Sequence, residues 1–215
     1  MRFFWIAMIG ICWLMESSVS MAALPTPLES VSGSVDKIFL VLKKKEMSLE
    51  EKRVAIRNLV NECFDFRTMS KQILGKHWQR ATEEQRVEFI RLYTTLLQNT
   101  YLVLVEEYND ESVIYGKDEI RQEKFATVDS IVTSSARKIP VEYKCILGKD
   151  RWYIYDVVIE GVSMVSNYRN SFAGLIRQKG FDGLLQDLKI KVSVPIASTS
   201  MLGKPVDQTQ KDDVH

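Results

Sequence analysis

Two changes of hydrophobic period divide this sequence, and they constrain its fold more than any other feature. From about residue 112 to residue 159, apolar and polar residues alternate in short segments, which predicts strands. Before and after that stretch, apolar residues recur at spacings of three and four, which predicts helices. The order of helices, strands and helices contains no strand–helix–strand crossover. It therefore predicts an α+β fold, with N-terminal helices, a curved antiparallel sheet of about four strands and C-terminal helices packed on one face of the sheet.

The helices before the sheet have readable ends. Ser48 and Thr82 each begin a capping box, and these boxes predict helices that run to about residue 61 and about residue 107. A helix over 64–73 is predicted to stop at Gly75. The first helix is predicted to follow 23–34, because the prolines and the glycine of that segment are typical of a loose leader.

The strands are predicted at 112–115, 126–133, 139–147 and 151–159, with a hairpin loop at 148–150 between the last two. In the third strand, alternate apolar residues from Ile139 to Leu147 share one face, while Glu142 and Lys144 share the other. One face of the sheet is therefore expected to be covered and the other to be wet.

The C-terminal part of the chain is predicted to hold two helices and a tail. Ser163 is placed to cap a helix that ends at Gly180, and Asp182 to cap a short last helix that ends at about Lys189. The segment 193–215 is polar and contains prolines and a glycine, which predicts a disordered tail.

The N-terminal residues are typical of a secretory signal peptide. Arg2 precedes an apolar run over 3–15, and Ser20 and Ala22 are small residues at the two positions that a signal peptidase inspects. We predict a signal peptide over 1–22 that is cleaved after Ala22, leaving one domain over 23–192. The apolar run is too short to span a bilayer comfortably, which favours cleavage over an uncleaved membrane anchor.

The composition excludes several classes of function. The 29 Lys and Arg residues nearly balance the 28 Asp and Glu residues, so the chain lacks the basic excess of a nucleic-acid-binding protein. Once the signal peptide is removed, Cys63 and Cys145 remain, and their apolar contexts favour buried free thiols over a disulfide. With only His77 and His215 as histidines, and no glycine-rich phosphate loop, neither a metal nor a cofactor is predicted.

Two residues are the candidates for acid–base chemistry, and both have a simpler structural interpretation. His77 has no serine elbow nearby, which favours a packed or surface histidine. Asp156 lies in an apolar strand, where burial would suit it to proton transfer, but Arg169 or Arg67 could pair with it instead. Glu160 at the strand exit is expected to be solvated.

Several separated motifs resemble one known family. The pieces W-x-I-Y-D-V, E-G-V-S-M-V and N-Y-R-x-x-F lie within 151–188, and FDFRTMSKQILGKHW and ATEEQRVEF lie at 64–78 and 81–89. In this order they are similar to the MlaC family, the periplasmic phospholipid-shuttle proteins also called toluene-tolerance proteins. The resemblance covers about residues 35–188.

The resemblance implies a function without catalysis. A member of this family is expected to be a monomeric periplasmic carrier that binds a glycerophospholipid by its acyl chains, in an apolar cavity between the sheet and the helices. The implied partners are an outer-membrane lipoprotein complex and an inner-membrane ABC transporter complex with a lipid-binding ring, and the implied role is to maintain outer-membrane lipid asymmetry.

The residues expected to line the cavity come from the long helix before the sheet, from the sheet, and from the helix after Gly161. They are Tyr101, Val105, Tyr108, Val128, Val141, Tyr143, Ile154, Val157, Val165 and Phe172. Both faces of the last long strand are apolar, so the sequence does not choose between Ile154 and Val157.

Simple magnitudes show what such a cavity requires. Exposing two acyl chains, about 28 methylenes, to water costs on the order of 20 kcal/mol. The chains need a cavity of roughly 800 Å³. An empty rigid void of that size would cost about 20 kcal/mol, more than the whole stability of a typical domain. We therefore expect the cavity to be filled, or the helices to close on the sheet when it empties.

Two other functions stay open at this point. One is a carrier for a different apolar lipid, such as a hopanoid or an isoprenoid. The other is a small α+β enzyme that uses Asp156 or His77 as its acid or base.

Overall fold

The computed structural model describes residues 24–102, 108, 110–134 and 137–193. Within these ranges it contains six helices and one five-stranded antiparallel sheet, which confirms the predicted α+β class. The predicted signal peptide with its cleavage site, Val105 and the segment 194–215 lie outside the described residues. The helices are α1 (Pro27–Lys43), α2 (Leu49–Cys63), α3 (Phe66–Leu74), α4 (Lys76–Arg80), α5 (Glu83–Tyr101) and α6 (Met164–Ser193), and the strands are β1 (Ser112–Arg121), β2 (Phe125–Thr133), β3 (Lys138–Leu147), β4 (Trp152–Ile159) and β5 (Val162–Ser163).

Capping boxes start three of the helices, and one of them corrects the predicted leader. The Thr26 hydroxyl accepts a hydrogen bond from the Glu29 N–H at 3.1 Å, and the Glu29 carboxylate accepts one from the Thr26 N–H at 2.8 Å. Pro27 fits at the first helical position because its missing N–H would have no partner there. The prediction that the whole of 23–34 is a loose leader is therefore wrong from Pro27 onwards. The predicted boxes at Ser48 and Thr82 are both confirmed.

Two glycines with left-handed backbone shape the helices. Gly75, at φ 51°, ends α3 as predicted, and the short helix α4, which was not predicted, follows it. Gly180, at φ 73°, kinks α6 where an end was predicted, and helix continues directly after it. The predicted cap at the start of α6 is present, since the Ser163 hydroxyl accepts from the Ser166 N–H at 3.0 Å.

The sheet is a meander in which each strand pairs antiparallel with the next, in the order β1-β2-β3-β4-β5. The predicted hairpin between β3 and β4 is present. Strand β1 is longer than predicted and extends to Arg121, and the two-residue β5 was not predicted. The covered face of β3 is confirmed, with Val141, Tyr143 and Cys145 all buried.

A β-bulge in β4 explains why the sequence does not settle which apolar residues of that strand face the helices. Cys145 pairs with Ile154, whereas the preceding Lys144 pairs with Asp156, so Tyr155 is the extra residue. Paired residues on antiparallel strands point to the same face, and Tyr143 pairs with Val157. Ile154 and Val157 therefore both lie on the covered face.

The apolar core consists of two clusters. The sheet cluster, in which α1 and the end of α2 pack against the covered face, contains Val31, Val35, Cys63, Ala126, Val128, Val141, Tyr143, Cys145, Trp152, Ile154 and Val157. The helix cluster, formed by α3 to α6, contains Met69, Ile73, Leu74, Trp78, Phe89, Leu92, Tyr93, Leu97, Val165, Phe172, Leu184, Leu185 and Leu188. Of the described helices, none is long and apolar enough to cross a membrane.

Candidate functional site

Half of the predicted lining residues lie together on the covered face of the sheet. All five are buried and belong to the sheet cluster: Val128, Val141, Tyr143, Ile154 and Val157. This face is apolar, and the buried Ser130 hydroxyl within it donates to the carbonyl of Val141 at 3.3 Å. The face can therefore contact hydrocarbon without leaving that hydroxyl unpaired.

The remaining predicted residues lie elsewhere. Val165 and Phe172 are buried in the helix cluster, and Tyr101 packs against its edge. Tyr108 contacts Phe39 of α1 edge-to-face, with ring centroids 6.1 Å apart. The structure thus places the predicted lining on two sides of one boundary, that between the two clusters.

Two residues that the sequence did not single out hold this boundary together. Phe64 and Met164 are the partly buried residues that pack against both clusters. Phe64 forms a parallel bridge to Ile154, and the next backbone N–H, of Asp65, donates to the Ile154 carbonyl at 2.8 Å. Both residues lie inside the motifs that carry the family resemblance, which was the available signal.

Burial on the covered face is deepest in its middle and lower at its ends. Val128 is 0% exposed and Cys145 is 0% exposed, whereas Leu147 at one end is only partly buried. Towards the other end, Val141 and Val157 are each 8% exposed, and the last residues on this face are only partly buried. We call these last residues the open end of the sheet; they are Val113, Val132, Ile139 and Ile159. An apolar ligand would meet incomplete protein cover there.

The open end adjoins the boundary between the clusters. Met164 directly follows β5, which pairs with β4 at Ile159. Tyr108 shortly precedes β1, whose first pairs join Ser112 to Thr133 and Val113 to Val132. A route from the surface to the covered face would therefore pass between the two clusters.

Phenol groups gather near this boundary, on the side of the helix cluster. The Tyr93 and Tyr168 rings meet edge-to-face at 5.2 Å, and burial raises the pKa of Tyr168. Burial, assisted by the nearby Tyr168 phenol, raises the pKa of Tyr101 to about 12. Burial also holds the pKa of Tyr93 well above its ordinary value, with Tyr168, Tyr101 and Asp156 adding to the shift. These hydroxyls therefore remain protonated donors at neutral pH.

The Asp156 carboxylate is bonded to other groups of the protein and is not free to contact a substrate. Its Oδ2 accepts from the Ser163 hydroxyl at 2.6 Å, and its Oδ1 accepts from the Val165 N–H at 3.0 Å. Its charged partner is Lys144, whose Nζ lies 3.5 Å from Oδ2. The carboxylate thus ties the start of α6 to β4.

The arginines suggested as partners of Asp156 are engaged elsewhere, so that suggestion is wrong. Arg169 donates from Nε to the Gln72 carbonyl at 2.8 Å, which fastens α6 to α3. Arg67 lies 3.6 Å from the Glu83 carboxylate. Strand pairing puts Lys144 opposite Asp156, and the bulge that creates this pairing was not visible in the sequence.

The other polar candidates lie at the surface. His77 borders an open cleft of about 330 Å³ between α4 and α6, whose other lining residues are Arg80, Ala81, Gln85, Ile176, Arg177 and Phe181. Partial burial and the charges of Lys76 and Arg80 lower the pKa of His77. Glu160 is exposed, as expected, and its carboxylate lies 3.4 Å from Arg137.

Two open depressions in the described part of the chain lie away from the predicted lining. Besides the cleft at His77, there is an open depression of about 380 Å³ along α2, at Glu50, Val54 and Asn58. Of the predicted lining residues that the structure describes, all but Tyr108 pack in or against the two clusters.

Both cysteines of the described residues are free and buried, as their contexts predict. Burial raises the pKa of the Cys63 thiol and of the Cys145 thiol to about 12. In the described ranges, no group of three or more His, Cys, Asp or Glu side chains could hold a metal ion.

Comparison with known proteins gives consistent relatives. The sequence model of a family described as "MlaC protein" matches residues 33–190. The intermembrane phospholipid transport system binding protein MlaC of Haemophilus influenzae is 22% identical over 180 residues, which cover 80% of this chain and 84% of that protein. A toluene tolerance protein of Pseudomonas putida is 24% identical over 166 residues, covering 74% and 77%.

A solved structure has the same fold. It is a phospholipid-binding protein from Ralstonia solanacearum in complex with a phospholipid. The match has a TM-score of 0.72 at 22% identity and covers 79% of this chain and 98% of that one.

Proposed function

The chain belongs to the MlaC family, and from that premise we propose that it is a carrier that binds a glycerophospholipid by its acyl chains and performs no catalysis. In this proposal it works in the periplasm, between an outer-membrane lipoprotein complex and an inner-membrane ABC transporter complex with a lipid-binding ring. Its transport maintains outer-membrane lipid asymmetry. The names of its relatives, a phospholipid transport protein and a toluene tolerance protein, support this role.

One observation carries the proposal: a broad apolar sheet face, buried in its middle, is only partly buried at its open end. A site for hydrocarbon chains needs apolar walls and few polar groups, since polar bonds would add specificity and slow release. Val128, Val141 and Val157 meet that requirement. The phospholipid held by the solved relative of the same fold supports a phospholipid as the ligand.

We infer that the acyl chains enter at the open end and part the sheet cluster from the helix cluster. In this arrangement the chains contact the covered face of the sheet on one side. On the other side they contact Tyr101, Val165 and Phe172 of the helix cluster, with Phe64 and Met164 at the boundary. The headgroup stays near solvent, because neither cluster contains charged side chains that could bind it.

The polar contacts support a carrier over an enzyme. Both carboxylate oxygens of Asp156 accept hydrogen bonds from the protein, so neither is directed at a substrate. His77 lies beside Lys76 and Arg80 on α4, a helix that contributes only Trp78 to the helix cluster and nothing to the sheet cluster.

The first experiment is mass spectrometry of organic extracts from protein purified without detergent. A stoichiometric glycerophospholipid is the expected result. Finding a different apolar lipid in the extract would mean that the site carries that lipid and not a phospholipid. Extracts that contain no lipid would overturn the carrier proposal in both forms.

A pair of adjacent substitutions on β2 tests the location. Val132 lies on the covered face at the open end, whereas Ile131 is 41% exposed on the opposite face. We expect Val132→Trp to lower the lipid occupancy of the purified protein several-fold, because the indole would fill the entrance. Ile131→Trp should leave occupancy unchanged. Equal occupancy in the two variants, with circular dichroism confirming that both fold, would contradict the proposed entrance.

A further inference from the structure

Tyr93 carries a polar group that is unpaired within the described part of the chain. The residue is 0% exposed, and its hydroxyl oxygen has no hydrogen-bond partner among the described residues. A buried hydroxyl is normally paired, because burying it unpaired costs stability. Phenylalanine would fill the same space without that cost. We therefore expect the Tyr93 hydroxyl to have a hydrogen-bond partner in another state of the protein.

The ring of Tyr93 is held in one orientation. It stacks on Phe89 with centroids 5.8 Å apart, and it meets Tyr168 at 5.2 Å and Phe172 at 6.2 Å, both edge-to-face. A ring fixed by three aromatic neighbours keeps its hydroxyl at one place. That hydroxyl is a donor with a fixed position.

The surroundings of the hydroxyl place it close to the boundary between the clusters. The groups that act electrostatically on it are Tyr168, Tyr101 and Asp156. Asp156 lies on β4 and accepts from the N–H of Val165, the residue after Met164, which packs against both clusters. Parting the clusters would therefore open space beside the Tyr93 hydroxyl.

We propose that the Tyr93 hydroxyl donates a hydrogen bond to an ester carbonyl of the bound lipid's glycerol backbone, which makes it a positioning residue for the ends of the acyl chains. This inference rests on the proposed carrier function. An ester carbonyl is a neutral acceptor that lies where the apolar chains begin. A phosphate oxygen fits less well, because the carboxylate of Asp156 is nearby and would repel a second anion.

The proposal gives Tyr93→Phe opposite effects in the two states of the protein. In the lipid-free protein the substitution removes an unpaired buried group, so the melting temperature should rise by about 2–4 °C. In the loaded protein it removes the hydrogen bond, so the lipid should leave about tenfold faster. A side chain that served packing alone would change only the first quantity.

The test compares two probe lipids of the same headgroup, dipalmitoyl phosphatidylglycerol and its dihexadecyl diether analogue. The diether lacks the ester carbonyls but keeps the phosphate and the chain length. Release from the full chain to acceptor vesicles is measured with both lipids, for the wild type, Tyr93→Phe and Tyr155→Phe. Tyr155 is a matched control because it contacts Phe125 at 6.1 Å, and neither ring belongs to either cluster.

We expect the wild type and Tyr155→Phe to release the diether about tenfold faster than the diester, and Tyr93→Phe to release both at the same fast rate. If the wild type releases the two lipids at equal rates, the proposal is overturned. This comparison uses wild-type protein alone, so it does not depend on whether a variant folds. A wild-type preference for the diester that persists in Tyr93→Phe also overturns it. The wild type could also release both lipids equally slowly while Tyr93→Phe releases both faster. That result would assign the hydrogen bond to the phosphate and overturn the ester assignment. Wild-type protein that binds neither lipid would instead refute the carrier function.

Discussion

Removing the charge of Asp156 should destabilise the fold, and this is the sharpest test of whether that residue supports structure or performs chemistry. The side chain is 3% exposed and joins β4 to the start of α6. In Asp156→Asn the amide oxygen can still accept from the Val165 N–H. The amide nitrogen, however, cannot accept from the Ser163 hydroxyl, and Lys144 loses its counter-charge.

The expected magnitude follows from these contacts. A hydrogen bond to a charged group contributes about 1.5–3 kcal/mol. The substitution loses one such bond, at 2.6 Å, and a partly exposed ion pair at 3.5 Å, which adds at most about 1 kcal/mol. We therefore expect the free energy of unfolding to fall by about 2–3 kcal/mol. That is a large share of the 5–15 kcal/mol stability that is typical of domains.

Urea unfolding followed by circular dichroism measures this change, with Glu160→Gln as the control. Glu160 is also acidic and lies close in sequence, but its pair with Arg137 at 3.4 Å is exposed. The control should lose less than about 1 kcal/mol. If Asp156→Asn unfolds at the wild-type urea concentration while a hydrolytic or transfer activity disappears, our interpretation of Asp156 is wrong and the enzyme hypothesis gains its main support.

Two more predictions concern backbone conformation and the thiols. Gly180→Ala should lower the free energy of unfolding by about 1–2 kcal/mol, because Gly180 has φ 73°. Gly174→Ala lies in the same helix with open space at its Cβ, so it should raise that free energy by about 0.5–1 kcal/mol. Urea unfolding compares the two variants, and equal effects would contradict the kink. Burial raises the pKa of Cys63 and Cys145 from 9.0 to about 12, so the folded state keeps protons that the unfolded chain loses. Their contribution is therefore full below pH 9 and is lost as the pH rises towards 12, at up to about 1.4 kcal/mol per pH unit and thiol. Unfolding at pH 8 to 10 should show a slope that is shallower in Cys63→Ala/Cys145→Ala, and an unchanged slope would refute this account.

Local signals in the sequence predicted most helix ends, because a cap needs only residues three positions apart. Ser48 and Thr82 were located in this way, and so was the Ser163 cap. The start of α1 is harder to predict although Thr26 and Glu29 have the same spacing, because the prolines on either side of Thr26 are also typical of loops. Proline at the first helical position is compatible with a helix, and the capping box was the better guide.

The face of β4 could not be predicted, for a different reason. Alternation assigns faces only while strand pairing is regular, and the bulge at Tyr155 shifts the register by one residue. As a result, Ile154 and Val157 share a face although they are an odd number of residues apart. The pairing of Asp156 with Lys144 depends on the same bulge, so that ion pair was also hidden.

The division of the core into two clusters was beyond periodicity altogether. A helical pattern shows which residues are buried but not which element buries them. Val165 and Phe172 are expected from the sequence in the lining of the cavity, and in the structure they are buried among helices. The unpaired hydroxyl of Tyr93 is a further property of the packed structure, since in the sequence Tyr93 is one of many large apolar residues of α5.

Few of the described side chains pack against both clusters, and this makes lipid loading energetically feasible. Among the described residues, the partly buried side chains that pack against both are Phe64 and Met164, and exposing a side chain of that size costs about 1.5–3 kcal/mol. Exposing these two side chains would therefore cost roughly 3–6 kcal/mol, against about 20 kcal/mol recovered by taking two acyl chains out of water. Any loss of the hydrogen bonds from Asp65 to Ile154 and from Val165 to Asp156, which join the two sides, would add to that cost. Filling the gap with methylene groups also restores the contacts that the facing residues lose on opening. A carrier built in this way is stable when closed and retains its lipid in water, and it releases the lipid only to a receiver whose interior is as apolar as its own.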